Sequence, residues 1–225
     1  MENAALRVYS NLRAFFESRK LRPVAAPRSH SAAGSTSGSS GLDAEKEAFL
    51  RELGYFGSYR VEGAAEDGMK VVVVLLSSQG KLVESGPALS SHLTPIWAEK
   101  ASREGEVAEV LAIAPEEVWG KKNLLDALGP LLAPPPGAPV LKIYPYHAFI
   151  IVIPQAACVP AHEIVSAEEE AALYAADRLH GKDALGRISA TDPPIIWIGG
   201  QPGQLVRIRS PSETAGEAIT YRRVE

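Results

Sequence analysis

The carboxyl-terminal stretch from residue 192 constrains the fold most, because its turn-forming and strand-forming residues follow one another in a strict order. The Gly- and Pro-rich segment 199–203 indicates a turn. Apolar and basic side chains alternate over residues 205–208, which is typical of a half-buried strand. A polar turn then closes on Gly216, and the β-branched and aromatic residues of 218–224 predict a second strand. The stretch is therefore interpreted as a short β-module whose last two strands pair as a hairpin against an apolar surface.

Several short motifs of the second half occur in a fixed order. They are Val159-Pro160-x-His162-Glu163, Ser166-x-Glu168-Glu169, Asp192-Pro193, the run from Pro211 to Gly216, and Ile219-Thr220-Tyr221-Arg222. In this order they resemble the subunit shared by eukaryotic RNA polymerases I, II and III, a family that also has an archaeal counterpart. The resemblance is close over the last third of the chain, and an ordered series of motifs is far more specific than a single one.

A weaker likeness extends into the first half. It rests mainly on the segments 121–126 and 143–147. Those segments, with 189–194 and Trp197-x-Gly199-Gly200 of the second half, look most like the versions of large DNA viruses such as African swine fever virus. Two positions depart from the usual family pattern. Ser210 stands where a basic residue is usual, which puts one contact in question. Pro194 is expected to exclude the uninterrupted helix that the cellular proteins carry after Asp-Pro.

The length of 225 residues is enough for one large or two small domains. A formal net charge of -4 means that any contact with nucleic acid has to be local. The single cysteine, Cys158, excludes an intramolecular disulfide and a cysteine zinc cluster, and it suits a reducing compartment. No signal peptide is recognised, and the longest apolar run, residues 71–76, is too short to span a bilayer, so no membrane partner is expected.

Hydrophobic periodicity predicts alternating helices and strands in the first part of the chain. The predicted helices are 4–21, 42–54 (with Asp43 as N-cap and Gly54 as the stop), 88–102 and 119–132, and the predicted strands are 69–76, 107–113, 140–144 and 148–153, with a turn at 77–81. The Ser/Gly-rich segment 28–41 is predicted to be a mobile loop. This alternation favours an α/β layer architecture for residues 1 to 150.

A second part is predicted to begin near Pro154. Ser166 and Glu169 form a capping-box pattern at the start of a helix that is predicted to run to about Leu179. Together these patterns predict an α+β protein with domains at 1–154 and 155–225. The resemblance implies that the first is a three-layer α/β jaw domain with a nuclease-like fold and the second a small α+β assembly domain.

No catalytic residue, metal site or cofactor is predicted. Asp67, Gln79 and Lys81 surround an apolar strand as in metal-dependent nucleases, but one carboxylate and a neutral Gln form a poor metal site. Residues 78–81 suit a hairpin turn better. The histidines at 30, 92, 147, 162 and 180 show no metal-binding spacing. Residues 212–214 lack the partners of a catalytic triad, and residues 199–203 lack the strand–turn–helix setting of a phosphate loop.

The positive prediction is an interaction surface. Arginines at 207, 209, 222 and 223 flank apolar strand positions, and the planar guanidinium suits carboxylates or phosphates of a partner. A solvated strand face is the alternative that chemistry leaves open, and the resemblance favours docking on the largest polymerase subunit. The interface candidates are His162, Asp192, Pro193, Arg207, Arg209, Ser212, Glu213, Thr214, Gly216, Tyr221 and Arg222.

The resemblance implies a non-catalytic subunit of a multisubunit DNA-directed RNA polymerase, with the active site in other subunits. Its N-terminal jaw is then expected beside downstream duplex DNA, where Lys121 and Lys122 at a helix start are candidate phosphate contacts. The expected location is the virion and host cytoplasm for a viral protein, and the nucleus for a cellular one. A stand-alone metal-dependent nuclease and a free transcription-factor adaptor are the alternatives.

Overall fold

The computed structural model describes residues 2–24, 41–56, 58–67, 69–77, 107–117, 140–176 and 185–225, with isolated positions between 91 and 133. Contacts divide the chain into two compact units, Met1–Ile150 and Ile151–Glu225. Each unit has its own sheet together with helices, so the predicted α+β class is confirmed. Among the described helices, none has both the length and the apolar character needed to cross a membrane.

The N-terminal unit contains a five-stranded sheet whose strands lie in chain order. They are β1 (Arg22–Val24), β2 (Ser58–Ala64), β3 (Lys70–Leu76), β4 (Val107–Ala114) and β5 (Val140–Pro145). The first three pair antiparallel, and β3, β4 and β5 pair parallel. Residues 71–76 of β3 are all buried, as expected for a central strand of continuous β-branched and aliphatic residues. The predictions for β3, β4 and β5 are confirmed, whereas β1 and β2 were not predicted.

Two long helices precede most of this sheet, α1 (Glu2–Ser18) and α2 (Gly41–Phe56). The prediction of α1 is confirmed, but α2 begins before Asp43 and continues through Gly54, so neither residue has its predicted role. An internal glycine costs a helix about 1 kcal/mol. Burial of Phe49, which stacks on Tyr9 with ring centroids 4.2 Å apart, opposes that cost.

The predicted strand 148–153 is wrong. Residues His147–Ile150 form a short helix, α3, and a 3-10 helix follows at Ile153–Gln155. The Asn11 amide donates hydrogen bonds of 2.9 Å to the carbonyls of Phe149 and Ile150, which satisfies the end of α3. A short apolar run cannot distinguish a strand from a buried helical turn, and here the contact with α1 decides.

Other predictions fall largely outside the described residues. These are the Ser/Gly segment 28–41, the turn 77–81, and the helices 88–102 and 119–132.

The C-terminal unit is built on a four-stranded sheet in the order β6-β8-β9-β7. Its elements are β6 (Ala161–Ile164), α4 (Ala167–Ala175), β7 (Gly186–Ile188), α5 (Pro193–Ile198), β8 (Leu205–Ser212) and β9 (Gly216–Val224). Strands β6, β8 and β9 pair antiparallel, and β7 pairs parallel with β9. The predicted β8–β9 hairpin is confirmed.

Helix α4 differs from its prediction in two details. Ser166 Oγ accepts a hydrogen bond of 3.2 Å from the Glu169 amide, which confirms the N-cap. The Glu169 carboxylate does not close a capping box in the usual way, since it binds Arg207. The helix ends at Ala175, with Ala176 as C-cap, and so stops before the predicted Leu179.

Helix α5 overturns the interpretation of residues 195–197 as part of a β-module and the exclusion of a helix by Pro194. The two prolines occupy the first two helical positions. A proline is tolerated there because the first amides of a helix have no intrahelical acceptor. Trp197 is completely buried, and Gly199, at φ 77°, ends the helix in the left-handed region.

Candidate functional site

The C-terminal sheet has two faces that alternate along β8. One face, here called the α4 face, carries Leu205 and Arg207, and Leu205 packs with Val165 and Leu173 under α4. The other, here called the groove face, carries Val206 and Ile208, which pack with a cluster that includes Ile195 of α5. Because successive residues of a strand point to opposite faces, neighbours along β8 and β9 have different surroundings.

Arg207 on the α4 face is bound on two sides. Its guanidinium lies 2.7 Å from Glu163 of β6 and 2.5 Å from Glu169 of α4, and its side chain is only 14% exposed. Hydrogen bonding to Glu163, followed by that to Glu169, raises the pKa of Arg207 above its ordinary value. Arg207 therefore ties α4 to the sheet, so its charge is already neutralised within the unit.

Arg223 makes an equivalent tie from β9. It donates to Glu170 at 2.9 Å and to the Tyr174 hydroxyl at 3.0 Å, both on α4, and to the carbonyl of Gly203 at 2.9 Å. The hydrogen bond with Glu170 raises the pKa of Arg223. Two arginines from neighbouring strands thus hold α4 by its acidic first turns.

The two remaining candidates of the α4 face are less enclosed. Arg209 lies 3.6 Å from Glu163 and its side chain is 43% exposed. Tyr221, opposite Arg207 in the register, packs beside the cluster under α4.

The groove that gives this second face its name has a volume of about 550 Å³ and is lined in part by Ile208. It brings together four of the predicted interface residues, His162 from β6, Asp192 and Pro193 at the start of α5, and Arg222 from β9. These residues are distant in sequence, and only the folding of the unit places them around one depression.

The charged groups of the groove are not neutralised among the described residues. Asp192 is the N-cap residue of α5, but its side chain makes no capping hydrogen bond. Arg222 is exposed, and among the described residues its guanidinium donates one hydrogen bond, 3.2 Å long, to the backbone carbonyl of Arg187. Neither residue has an ion pair within the described part of the chain. A carboxylate and a guanidinium therefore remain available on this face.

His162 has a defined tautomer in the groove. Its Nδ1 lies 2.7 Å from the carbonyl oxygen of Pro160, and a carbonyl only accepts, so Nδ1 carries the proton. The ring then presents Nε2 as an acceptor when neutral. This bond holds the ring against the loop that precedes β6.

The hairpin tip forms the third group of candidates. The hydroxyl of Ser212 accepts a hydrogen bond of 3.3 Å from the Ala215 amide and so stabilises the turn. Gly216 has φ 74°, in the left-handed region that favours glycine. Residues 213–220, including Glu213 and Thr214, are exposed, and Ile219 is 51% exposed.

The tip projects beyond its neighbouring strands. Pairing with β6 ends at Arg209, and pairing with β7 begins only at Arg222, so the hairpin between them is a two-stranded ribbon among the described residues. A two-stranded ribbon is marginally stable in water unless something packs on it. An exposed ribbon with an apolar side chain at its surface is therefore a candidate contact surface.

Sequence reasoning missed Pro194, Ser210 and Thr220 as groove residues. The signal was present, because Ser210 follows Ile208 and Thr220 precedes Arg222 at strand spacing. Pro194 was considered only as a helix breaker.

A buried ionic cluster in the N-terminal unit was also missed. Glu109 lies 2.5 Å from Arg19 and 2.7 Å from Lys142, and its side chain is 6% exposed. Burial alone would raise the pKa of the Glu109 carboxyl, but Arg19 and Lys142 outweigh burial and hold it below its usual value. With both oxygens facing cations, this carboxylate is unsuited to binding a metal ion.

The nuclease-like pattern gains no support from the described residues. Asp67 accepts a hydrogen bond of 3.0 Å from the Met69 amide in an exposed turn. Gln79 and Lys81 lie outside the described residues, as do Lys121 and Lys122. Within the described ranges, no group of three or more potential metal ligands occurs.

Comparison with known proteins identifies where the similarity is concentrated. The family described as RNA polymerase Rpb5, C-terminal domain, matches residues 151–224, which is almost the whole C-terminal unit. The chain is 35% identical over 174 residues to the DNA-directed RNA polymerase RPB5 homolog of African swine fever virus (isolate Pig/Kenya/KEN-50/1950). That match covers 77% of this chain and 82% of the viral protein.

Shorter matches reach cellular proteins. The chain is 49% identical over 67 residues to the DNA-directed RNA polymerases I, II, and III subunit RPABC1 of Caenorhabditis elegans, covering 29% of this chain and 31% of that protein. It is 44% identical over 66 residues to the DNA-directed RNA polymerase subunit Rpo5 of Archaeoglobus fulgidus, covering 29% of this chain and 86% of the archaeal protein.

Proposed function

Because the chain belongs to the RPB5 family of DNA-directed RNA polymerase subunits, we propose that its C-terminal unit docks on the largest subunit of the enzyme and that its N-terminal unit lies beside downstream duplex DNA. The family is one of accessory, non-catalytic subunits, so the chain supports transcription while other subunits carry the active site. Its partners are the other subunits of the polymerase.

The observation that carries the docking proposal is the contrast in charge pairing within the C-terminal unit. Arg207 and Arg223 are neutralised by α4, whereas Asp192 and Arg222 of the groove have no ion pair among the described residues. Complementary charges across an interface favour specific association, and the partner would supply what the groove lacks. The exposed ribbon adjoins the same strands and would gain stability once a partner covers it.

The distribution of similarity supports the same division of labour. The family match begins at residue 151 and ends at residue 224, so the proposed docking residues all lie inside it. The archaeal relative is matched over 86% of its length by 66 residues, so a polymerase subunit in that organism is little longer than the matched segment. A segment of that size can therefore serve as a polymerase subunit in a relative.

The docking proposal is tested by affinity purification of the tagged full-length chain with its partners identified. The largest polymerase subunit should co-purify with the wild type and be lost when Asp192→Lys and Arg222→Glu are combined. Reversing both charges keeps the net charge unchanged, so a general charge effect is excluded. Co-purification of no polymerase subunit with the wild type would contradict the docking role, and full retention by the double variant would show that docking does not use the groove.

For the N-terminal unit, Lys121 and Lys122 remain the proposed phosphate contacts. Lys121→Glu/Lys122→Glu should weaken the binding of duplex DNA by the assembled polymerase, independently of DNA sequence. Losing two phosphate contacts should flatten the salt dependence by about 1–2 log units of affinity per log unit of salt.

The measurement is DNA affinity across a salt series, with Lys46→Glu/Arg51→Glu on α2 as a control of equal charge change. Equal effects of the two double variants would show that net charge, and not these lysines, matters. An unchanged slope with the subunit still incorporated would move the DNA-facing surface elsewhere.

The location follows from the same proposal. A viral polymerase that carried this subunit would place it in the virion and host cytoplasm, and a cellular polymerase would place it in the nucleus. The viral assignment is favoured because the long match is to a viral protein.

A further inference from the structure

We propose that the groove holds one extended segment of a partner subunit, in which an apolar side chain is flanked by an acidic residue that pairs with Arg222 and a basic residue that pairs with Asp192. The inference rests on the docking role proposed above and specifies the chemistry of what the groove binds.

The shape and lining of the groove favour an apolar anchor. Its volume of about 550 Å³ lies within the range of roughly 300–1,000 Å³ found for small-ligand pockets, which is ample for one apolar side chain. Pro160, Pro193, Pro194 and Ile208 all contribute to its lining. Proline side chains have little conformational freedom to lose, so such walls bind at a low entropic cost.

The charges of the groove specify the flanking residues. An N-cap aspartate usually accepts a hydrogen bond from the first turn of its helix, but the Asp192 side chain makes none. Arg222 uses one N–H toward the Arg187 carbonyl, and a guanidinium has five N–H donors in all. A partner cation at Asp192 and a partner carboxylate at Arg222 would satisfy both groups.

The backbone beside the groove favours an extended conformation. The ladder between β6 and β8 ends at the pair Ala161–Arg209, and the preceding residue, Pro160, has no N–H with which to continue it. On that side the segment from Ser210 to Ser212 has no partner strand among the described residues. An extended peptide can add to such an edge through main-chain hydrogen bonds while its side chains enter an adjacent pocket.

A native cysteine allows a crosslinker to be attached at the groove. Cys158 is its single cysteine, is exposed, and lies in the lining of the groove. A thiol-reactive photo-crosslinker attached to Cys158 of the full-length chain, followed by assembly into the polymerase and illumination, should link to one peptide of a partner subunit. The crosslinked peptide should contain an apolar residue with an acidic and a basic residue close on either side.

A charge exchange then tests the pairing. Arg222→Glu should weaken incorporation, and replacing the acidic residue of the crosslinked segment by arginine should restore it. Arg187→Glu serves as the matched control, because Arg187 is 70% exposed on the edge strand β7 and pairs with Glu225 outside the groove. The control should incorporate normally.

The outcomes separate this inference from the docking role on which it rests. If the wild type incorporates but crosslinks to a segment without flanking charges, or to no partner, the groove inference is wrong and docking by other surfaces stands. If charge exchange restores nothing, the proposed pairing is wrong. If no polymerase subunit co-purifies with the wild type, the docking role itself fails.

Discussion

On the α4 face of the C-terminal sheet, Arg207 and Arg223 each hold a carboxylate of α4, whereas on the groove face Asp192 and Arg222 hold no charged partner among the described residues. Arg222 and Arg223 are adjacent in sequence and have the same charge. Because they point to opposite faces of β9, one binds α4 and the other lies at the groove. Their difference teaches that the function of an arginine here depends on the face it occupies.

The buried cluster of the N-terminal unit shows what complete pairing looks like in the same chain. Glu109 has a cation at each carboxylate oxygen and is almost inaccessible to solvent. Such a cluster can stabilise its own unit, but it leaves no charge for a partner. By this criterion the α4 face resembles the N-terminal cluster, and the groove face differs from both.

The largest stability effect is expected where pairing is most complete. Glu109→Gln leaves Arg19 and Lys142 buried without their carboxylate, and breaking a buried ion pair in this way costs about 3–5 kcal/mol of unfolding free energy. Urea unfolding of the two proteins measures the difference. Glu66→Gln is the control, because Glu66 pairs with Arg22 at the surface, where such pairs contribute little.

The same pair of proteins gives a pH test. The pKa of Glu109 is lower in the folded than in the unfolded chain, so its stabilising contribution is present above the unfolded value and is lost as the pH falls toward the folded value. Wild type should lose more stability in acid than Glu109→Gln. The same loss of stability in acid for both proteins would show that Arg19 and Lys142 do not stabilise the charged Glu109 carboxylate in the folded chain.

We expect the arginine on the α4 face to stabilise the fold and the arginine on the groove face to contribute to docking instead. Arg207→Leu removes the guanidinium that pairs with Glu163 and Glu169. Because these carboxylates are 56% and 41% exposed, water can solvate them in the variant, and the loss of stability should be about 1–3 kcal/mol. Arg222→Leu, on the groove face, should change the unfolding free energy by less than about 0.5 kcal/mol. Thermal unfolding measures both changes. Equal destabilisation by the two substitutions would contradict the claim that only the α4 face stabilises the unit.

Two glycines of similar backbone conformation can show whether the hairpin tip is part of the docking surface. Gly216 at φ 74° and Gly203 at φ 88° both have open space where a Cβ atom would lie, so valine at either should cost about 1–3 kcal/mol through backbone strain. Only Gly216→Val should also weaken incorporation into the polymerase, because only Gly216 lies in the ribbon. Equal incorporation of the two variants would exclude the tip from the docking surface.

The smallest effect is expected at a wall of the groove. Pro194→Ala keeps a helix former at the second position of α5 and should cost no more than about 1 kcal/mol, mainly through greater freedom of the unfolded chain. If the proline ring contacts the partner segment, incorporation should weaken slightly more than stability does. Competition between variant and wild type for limiting polymerase would detect so small a difference, and unchanged competition would remove Pro194 from the contact.

Sequence reasoning succeeded where local pattern and packing agree. The continuous β-branched residues of β3 and the alternation of β8 predicted buried and half-buried strands, and Gly216 was identified as the end of a turn. It failed where helix position or tertiary contacts decide. Pro193 and Pro194 start α5, and Asn11 of α1 caps the end of α3.

The sequence allowed several residues of the candidate site to be predicted, but not how the fold places them relative to one another. Strand alternation separates Arg222 from Arg223, yet it cannot tell which of the two faces receives α4 and its glutamates. That choice depends on how Leu173 packs against Leu205, which is a tertiary contact. Likewise, no local pattern places His162 of β6 in the same groove as Asp192, the N-cap residue of α5.

The most direct test of docking through the groove is the reactivity of Cys158 toward a maleimide, in the free chain and in the assembled polymerase. Cys158 is exposed in the free chain and lies in the groove, so it should react readily there and be strongly protected after assembly. Equal reactivity in both states, with the subunit demonstrably incorporated, would contradict the account and show that the groove remains open to solvent in the enzyme.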